Sequence, residues 1–436
     1  MDRLLRLCGN LSETHLREIL LASSFGLAIK ILSAISIFAM NIVVARTLGA
    51  SEAGLFFLAM TMITIFAAVS RLGLDQTLVR FIAAEQVTGD ASSLHGVYRK
   101  SVKWTFLASL LLTLVIAEST EFPLLDLIML PDFSPVFKIA MFAIPLVALY
   151  TLLAHALQGL KNIVGSMLIL NVMVPVILLL MMLWAPTKLA GTLSLYYVLA
   201  CLVTLLLGFI FWKQSAPETP VITSFSSSRL YQACLPLWGV TILAQVIQWS
   251  SQIMLGIWST AEEVAFFATA QRTAMLTSFV LFAVNAIAAP KFAAMHAQND
   301  TEGLKKTAIL SVRLMLVAAI PALAVMLLFP EWLMSFFGDE FKAAATALVI
   351  LSLGQFVNIA TGSVGYLLSM TGLERKVRDN MVISTTLGLI LGLTLIPSFG
   401  LTGAAIATAS AIASQNLLGV YQVRKYLGFN TLVFWR

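Results

Sequence analysis

The chain has 436 residues, of which 59% are hydrophobic and 11% are charged, and its formal net charge is +6. Soluble domains are nearer half apolar and a quarter charged, so the composition excludes a soluble enzyme, a secreted disulfide scaffold and a disordered chain. Because one membrane crossing needs about 20 apolar residues, this length allows about twelve transmembrane helices with short loops. The three cysteines show no metal or redox spacing, and we expect neither a metal site nor a cofactor.

The predicted elements begin with an amphipathic cytoplasmic segment at 1–21. It mixes Arg and Glu with Leu and lacks the apolar core of a signal peptide. Apolar runs bounded by charged residues, Gly or Pro then predict an all-α polytopic membrane protein with twelve spans, the third and eleventh of them short. The spans cover 22–44, 53–74, 104–119, 138–159, 163–184, 193–212, 235–258, 264–288, 308–329, 344–368, 381–397 and 401–422.

Lys and Arg set the predicted orientation. With the N-terminus inside, 20 of the 27 basic residues fall in cytoplasmic segments and four fall in outer loops. The four outer residues are Arg46, Lys138, Lys188 and Lys342. This distribution follows the positive-inside rule, so we expect both termini in the cytoplasm. The remaining three basic residues lie within spans: Lys30, Arg71 and Arg272.

The first half contains four ionisable groups of interest. Lys30 lies in the cytoplasmic half of span one, where it either snorkels to the surface or meets a ligand. Arg71 has Asp75 four residues on, which places both on one helix face. They form either a helix-end ion pair or an entry point for an anionic ligand, with Asp75 holding Arg71. His155, in span four, is either a hydrogen-bonded interior residue or a gating group that titrates near neutral pH.

A polar linker at 213–234 separates two predicted six-helix bundles at 22–212 and 235–422, and the chain ends in a cytoplasmic tail at 423–436. Matches at an offset of about 210 residues indicate that the bundles are repeats. Because six is even, both repeats have the same orientation, and transporters built this way bind substrate between them. The matching pairs are 55–59 with 265–269, 80–84 with 291–295, 122–123 with 329–330 and 159–161 with 372–374.

Span seven has a polar face made of Thr241, Gln245, Gln248 and Gln252, spaced 4, 3 and 4 residues apart. Amides donate and accept hydrogen bonds, which suits sugar hydroxyls in a cavity without adding charge. The alternative is hydrogen bonding between helices, which membrane proteins also use. Span ten has a shorter stripe that includes Gln355 and Asn358.

Arg272 lies about nine residues into span eight, or roughly 13 Å at 1.5 Å per residue. A charge in hydrocarbon costs about 2.5–3.5 kcal/mol on insertion scales, so this residue requires water, a partner or a ligand. A guanidinium donates two parallel hydrogen bonds to an anion such as phosphate, which favours an anion-binding cavity. The alternative is a structural pair between helices, for example with Asp75.

Several segments resemble motifs of the bacterial polysaccharide flippases, the O-antigen and exopolysaccharide translocases of the multidrug/oligosaccharidyl-lipid/polysaccharide (MOP) superfamily. The run ARTLGASEAG at 45–54 resembles the family turn AR-x-LG-x-x-x-x-G between spans one and two. Residues 73–83, 255–272 and GLTGAA at 400–405 resemble the end of span two, spans seven and eight, and the start of the last span. The chain departs from the family at Ser251 and Gln252, where many relatives carry an acidic residue, so ion coupling at that position is not implied here.

The resemblance implies that the chain flips an oligosaccharide, carried on undecaprenyl pyrophosphate, from the inner to the outer leaflet of the bacterial inner membrane. Arg272 and Lys30 would neutralise the pyrophosphate, and Arg71 would meet it on entry. The glycan would contact Gln245, Gln248 and Gln252. The expected partners are the lipid-linked oligosaccharide and membrane lipids, with the polysaccharide polymerase machinery as a candidate, and no nucleic acid.

Three alternatives compete with this hypothesis. An ion-coupled multidrug exporter of the same superfamily would favour buried carboxylates for cationic drugs, whereas these spans carry buried cations. A membrane glycosyltransferase or ligase would need acidic catalytic groups and usually a large outer loop, and the loop predicted at 120–137 is short. A non-transporting scaffold would leave a buried arginine without purpose.

Overall fold

The computed structural model describes residues 13–118, 128, 130, 132–218 and 226–432. Several predicted features lie in part outside these residues: the N-terminal segment up to residue 12, much of the outer loop at 120–137, part of the linker at 219–225 and the last four residues of the tail. Over the described ranges the regular structure is entirely helical, in agreement with the predicted all-α class.

Eight helices make up the described part of the first half. They are α1 (Glu13–Ser70), α2 (Leu74–Thr88), α3 (Ala91–Glu118), α4 (Phe133–Ala140), α5 (Ala143–Gly159), α6 (Ile163–Asn171), α7 (Met173–Trp184) and α8 (Ala190–Ser215). The described second half has α9 (Ser227–Trp258), α10 (Ala261–Ala274), α11 (Ser278–Ala297), α12 (Thr301–Leu328), α13 (Pro330–Met334), α14 (Ala345–Thr361), α15 (Val364–Met370) and α16 (Glu374–Leu427).

The two longest helices each contain a glycine turn. As a straight rod, the 58 residues of α1 would extend about 87 Å, whereas the hydrocarbon core is about 30 Å thick. Gly49 interrupts α1 at φ 75° and ψ 173°, and Gly400 interrupts α16 at φ 48° and ψ −124°. Glycine tolerates these backbone angles because it has no Cβ. Each of these helices therefore crosses the membrane twice.

Counting the crossings confirms the predicted number. The described residues contain eight helices long and apolar enough to cross a membrane, and two further pairs, α4 with α5 and α6 with α7, that are each bent by 44°. With each bent pair taken as one crossing, and with one more crossing for the glycine turn in each of α1 and α16, the described chain has twelve crossings. The third and eleventh predicted spans lie within longer helices, namely α3 and the first part of α16.

Two equivalent hydrogen bonds show the repeat in three dimensions. Glu52, at the start of span two, accepts a 2.6 Å bond from the backbone N–H of Ala190, the first residue of α8. Glu263, in the first turn of α10, accepts a 2.8 Å bond from Leu401, where the last span begins. Both equivalent pairs are separated by 211 residues (263 minus 52, and 401 minus 190). This separation agrees with the predicted offset of about 210.

Candidate functional site

The candidate site is centred on Arg272, at a break in span eight. Thr260 caps the start of α10 by accepting a hydrogen bond from the N–H of Glu263. Two glutamates in the first turn stabilise this end of the helix, because their negative charges interact favourably with the helix dipole. The helix ends at Ala274, and the short 3₁₀ turn Met275–Thr277 separates it from α11. Arg272 lies in the last turn of α10, where the helix dipole favours a cation.

Arg272 contacts the opposite half of the protein. Its Nη1 donates to Asn41 Oδ1 at 3.3 Å, and its Cζ lies 4.2 Å from the centroid of the Phe57 ring. Both of these residues belong to α1 and are buried. Among the described residues no carboxylate forms an ion pair with Arg272. A cation–π contact and one amide bond therefore hold a cation that lacks a counter-charge within the described chain.

Lys30 lies on the same face of α1 as Asn41. The two residues are 11 positions apart in a continuous helix, which is three turns and roughly 16 Å along the axis. Lys30 is partly buried. The structure thus arranges Lys30 and the Asn41–Arg272 contact along one line, instead of bringing both cations to one point.

Arg71 and Asp75 form a buried ion pair at a second break. Arg71 Nε lies 2.8 Å from the Asp75 carboxylate, with side-chain exposures of 10% and 11%. The backbone between α1 and α2 turns at Leu72 and Gly73, both with positive φ. Because Asp75 is engaged with Arg71, it does not form the alternative structural pair with Arg272.

His155 also has an intrahelical partner. Its Nδ1 lies 2.8 Å from the carbonyl oxygen of Thr151, one turn earlier in α5. This geometry agrees with the interpretation as a hydrogen-bonded interior histidine. A gating role for His155 stays a prediction.

The amides predicted on span seven have different environments. Gln252 is fully buried and donates to the carbonyl oxygen of Phe57 at 3.1 Å, so it joins α9 to α1. Gln248 lines a cavity and donates to Met275 Sδ at 3.0 Å. Gln245 is partly buried, and its Oε1 has no partner among the described residues. The spacing predicts a common helical face, but it does not reveal which residues on that face a neighbouring helix covers.

A cavity of about 270 Å³ lies within the second half, between α9, α10, α14 and α16. It brings Gln248 of span seven together with Gln355 and Asn358 of span ten, the two polar stripes of the sequence. Three further lining amides were not predicted, although each lies in an apolar span, as the amides of span seven do. These are Gln271, Gln415 and Asn416.

The outer ends of the two halves are tied together. The backbone N–H of Ala50, just after the Gly49 turn, donates to Glu340 Oε1 at 2.7 Å. Arg46 Nε donates to the carbonyl oxygen of Phe336 at 2.7 Å. Gly54 packs so tightly that a Cβ there would lie 1.7 Å from the carbonyl oxygen of Ala261. The halves are therefore closed against each other on the side that the sequence predicts to be outside.

Comparison with known families agrees with this architecture. A family model described as polysaccharide biosynthesis protein matches residues 17–296, well over half of the chain. A second model, MatE, matches residues 236–396.

Two curated relatives come from Haloferax volcanii. The probable low-salt glycan biosynthesis flippase Agl15 is 30% identical over 183 residues, which are 41% of this chain and 38% of that protein. The probable flippase AglR has the same identity over the same length. The chain thus matches well under half the length of these relatives.

Solved structures share the fold across nearly the whole chain. An inward-facing multidrug resistance MATE family transporter of the MOP superfamily has a TM-score of 0.75 at 16% identity, covering 93% of this chain and 98% of that one. The lipid II flippase MurJ in an inward closed conformation has a TM-score of 0.59 at 12% identity, covering 91% and 87%. The chain belongs to the polysaccharide biosynthesis protein family and is a multi-pass membrane protein.

Proposed function

We propose that this transporter flips a lipid-linked oligosaccharide from the inner to the outer leaflet of a bacterial inner membrane, for O-antigen or exopolysaccharide biosynthesis. The observation that carries the proposal is Arg272, a cation between the halves whose described contacts are an amide and an aromatic ring. The pyrophosphate of a lipid-linked glycan would supply the missing counter-charge, and a guanidinium binds phosphate oxygens with paired hydrogen bonds.

Lys30 of span one, and Arg272 of span eight where it contacts span one, then define a path for the pyrophosphate along the first span. Lys30 lies three helical turns from Asn41, toward the predicted cytoplasmic side. We expect the pyrophosphate to meet Lys30 first and Arg272 next as it moves outward. Arg71 would bind the entering pyrophosphate only after its ion pair with Asp75 breaks. Asp75 would then control when the Arg71 guanidinium becomes free to bind.

The glycan would contact the amides of span seven. Gln248 is available from the cavity, and Gln245 has an acceptor oxygen without a described partner. Gln252 is bonded to Phe57 across the interface, so it would reach a glycan only after the halves separate. Both termini are expected in the cytoplasm, and the polymerase machinery is the candidate partner for the flipped product.

A multidrug exporter is the second candidate, because the MatE model matches 236–396. Cationic drugs call for an anionic site, and none of the residues lining the described cavity is acidic. The two functions therefore differ in the charge of the transported molecule.

A deletion strain separates the two functions. If the chain is a flippase, deleting its gene depletes surface polysaccharide and accumulates lipid-linked glycan on the cytoplasmic side, while drug susceptibility is unchanged. A plasmid copy should restore the glycan. Normal surface glycan together with increased sensitivity to cationic drugs would show that the exporter is the correct assignment.

A further inference from the structure

We infer that the amide-lined cavity of the second half is a subsite for one uncharged sugar ring, the ring attached directly to the pyrophosphate. This inference rests on the proposed function and adds to it a sugar preference. The cavity lies within the second half, away from Lys30 and the Arg71–Asp75 pair. Its six amides are Gln248, Gln271, Gln355, Asn358, Gln415 and Asn416.

The chemistry of the lining selects a neutral, hydroxyl-rich ligand. None of the described residues that line the cavity is ionisable. Each amide offers both donors and acceptors, which match hydroxyl groups that also donate and accept. A carboxylate entering the same space would lose its hydration without gaining a counter-charge, which is strongly unfavourable.

Gln271 provides a buried acceptor oxygen on a residue that lines the cavity. It is 4% exposed, and its Nε2 donates to the carbonyl oxygen of Gln248 at 2.9 Å, which fixes the amide. Its Oε1 has no partner among the described residues. Buried polar atoms are almost always paired in native proteins, so a ligand hydroxyl is the natural donor to this oxygen.

A second amide group is already held in place on the facing helix. Gln355 Oε1 accepts from Asn358 Nδ2 at 3.1 Å and from Ser278 Oγ at 3.4 Å. These contacts order the side chains before any ligand arrives, which lowers the entropy cost of binding.

The position of the cavity identifies the ring. Gln271 and Arg272 are consecutive, and Gln271 lines the cavity whereas Arg272 contacts Asn41 in the other half. We place the ring that is covalently attached to an anion bound at Arg272 beside Gln271, the adjacent residue of α10. A volume of about 270 Å³ lies just below the roughly 300–1,000 Å³ of drug-sized pockets, which suits one ring and not an oligosaccharide.

The test measures binding of three short-chain ligands to the full-length protein in lipid nanodiscs by calorimetry. They are farnesyl pyrophosphate, its glucose conjugate and its glucuronic acid conjugate. The two sugar rings differ only at the carboxylate. We expect the glucose conjugate to bind at least about ten-fold more tightly than the glucuronic acid conjugate. The extra negative charge would be attracted to Arg272, so a preference for glucose cannot come from overall charge.

Two matched variants on α16 test whether the preference for glucose arises in the cavity. Gln415→Leu removes a lining amide and should bring the glucose conjugate within about two-fold of bare farnesyl pyrophosphate. Gln422→Leu makes the same change seven residues further along α16, outside the cavity, and should leave the wild-type order unchanged. Equal losses in both variants, or equal binding of glucose and glucuronic acid conjugates to the wild type, would overturn the subsite.

The same measurement separates this inference from the proposed function. If bare farnesyl pyrophosphate binds but glucose adds no affinity, the sugar subsite is wrong and the anion site stands. If none of the three ligands binds the wild-type protein, the proposed function fails and the inference fails with it.

Discussion

Arg272 of the second half donates a hydrogen bond of 3.3 Å to Asn41 of the first. Asn41 is 1% exposed, and its own Nδ2 donates to Ile37 one turn earlier. The acceptor is therefore fixed in orientation, and the only formal charge in the contact belongs to the arginine. A bond of this kind lets an anion displace the amide, because a carboxamide competes weakly with a phosphate for a guanidinium.

The outer tie between the halves should control access from outside. Glu340→Ala removes the carboxylate that accepts from Ala50, so the outer ends should separate more often. We expect a single cysteine at Leu48, buried in the wild type, to react several-fold faster with a membrane-impermeant maleimide in a background without the native cysteines. Glu331→Ala is the control, because that exposed glutamate has no described bond across the halves. Unchanged labelling in Glu340→Ala would mean that the tie does not hold the closure.

The repeated carboxylate bonds should stabilise each half separately. Glu263 accepts from Leu401, and Ser259 also donates to it. Hydrogen bonds to charged groups contribute about 1.5–3 kcal/mol each, so Glu263→Ala and Glu52→Ala should each lower the melting temperature measured in detergent. Glu262→Ala, one residue away and exposed, should have little effect. Equal melting temperatures for Glu262→Ala and Glu263→Ala would contradict the structural role of the bond.

The Arg71–Asp75 pair should show strong coupling. Removing one member of a buried ion pair costs about 3–5 kcal/mol, because the remaining charge is left without compensation. Arg71→Gln and Asp75→Asn should each reduce the amount of folded protein that survives heating, whereas the double variant should recover much of the loss. Losses that simply add in the double variant would show that the two charges are not coupled in the folded protein.

Much of this architecture follows from local sequence signals. Hydropathy gives the twelve crossings, and the depth of Arg272 follows from its distance to the span end. The i,i+4 spacing of Arg71 and Asp75 predicts their ion pair. The pair forms even though Gly73 interrupts the helix between the two residues. These features depend on residues close to one another in the chain.

Features that depend on distant contacts could not be predicted in the same way. Periodicity places Gln252 and Gln248 on one face, but only the packing of α1 buries the first and leaves the second in a cavity. The tie from Glu340 to Ala50 joins residues 290 positions apart. No local pattern indicates such a pairing.

Transport by Arg272→Ala tests whether the Arg272 guanidinium binds the pyrophosphate of the transported molecule. Truncating one partner of a charge pair that is buried in the bound complex costs about 2 kcal/mol or more, which is about 25-fold at 1.4 kcal/mol per tenfold. In proteoliposomes, inward-to-outward transfer of a fluorescent pyrophosphate-linked glycan should fall by at least that factor. The control Arg313→Ala, an exposed arginine of α12, should transport normally. Wild-type transport by a correctly inserted Arg272→Ala protein would show that Arg272 does not bind the pyrophosphate during transport.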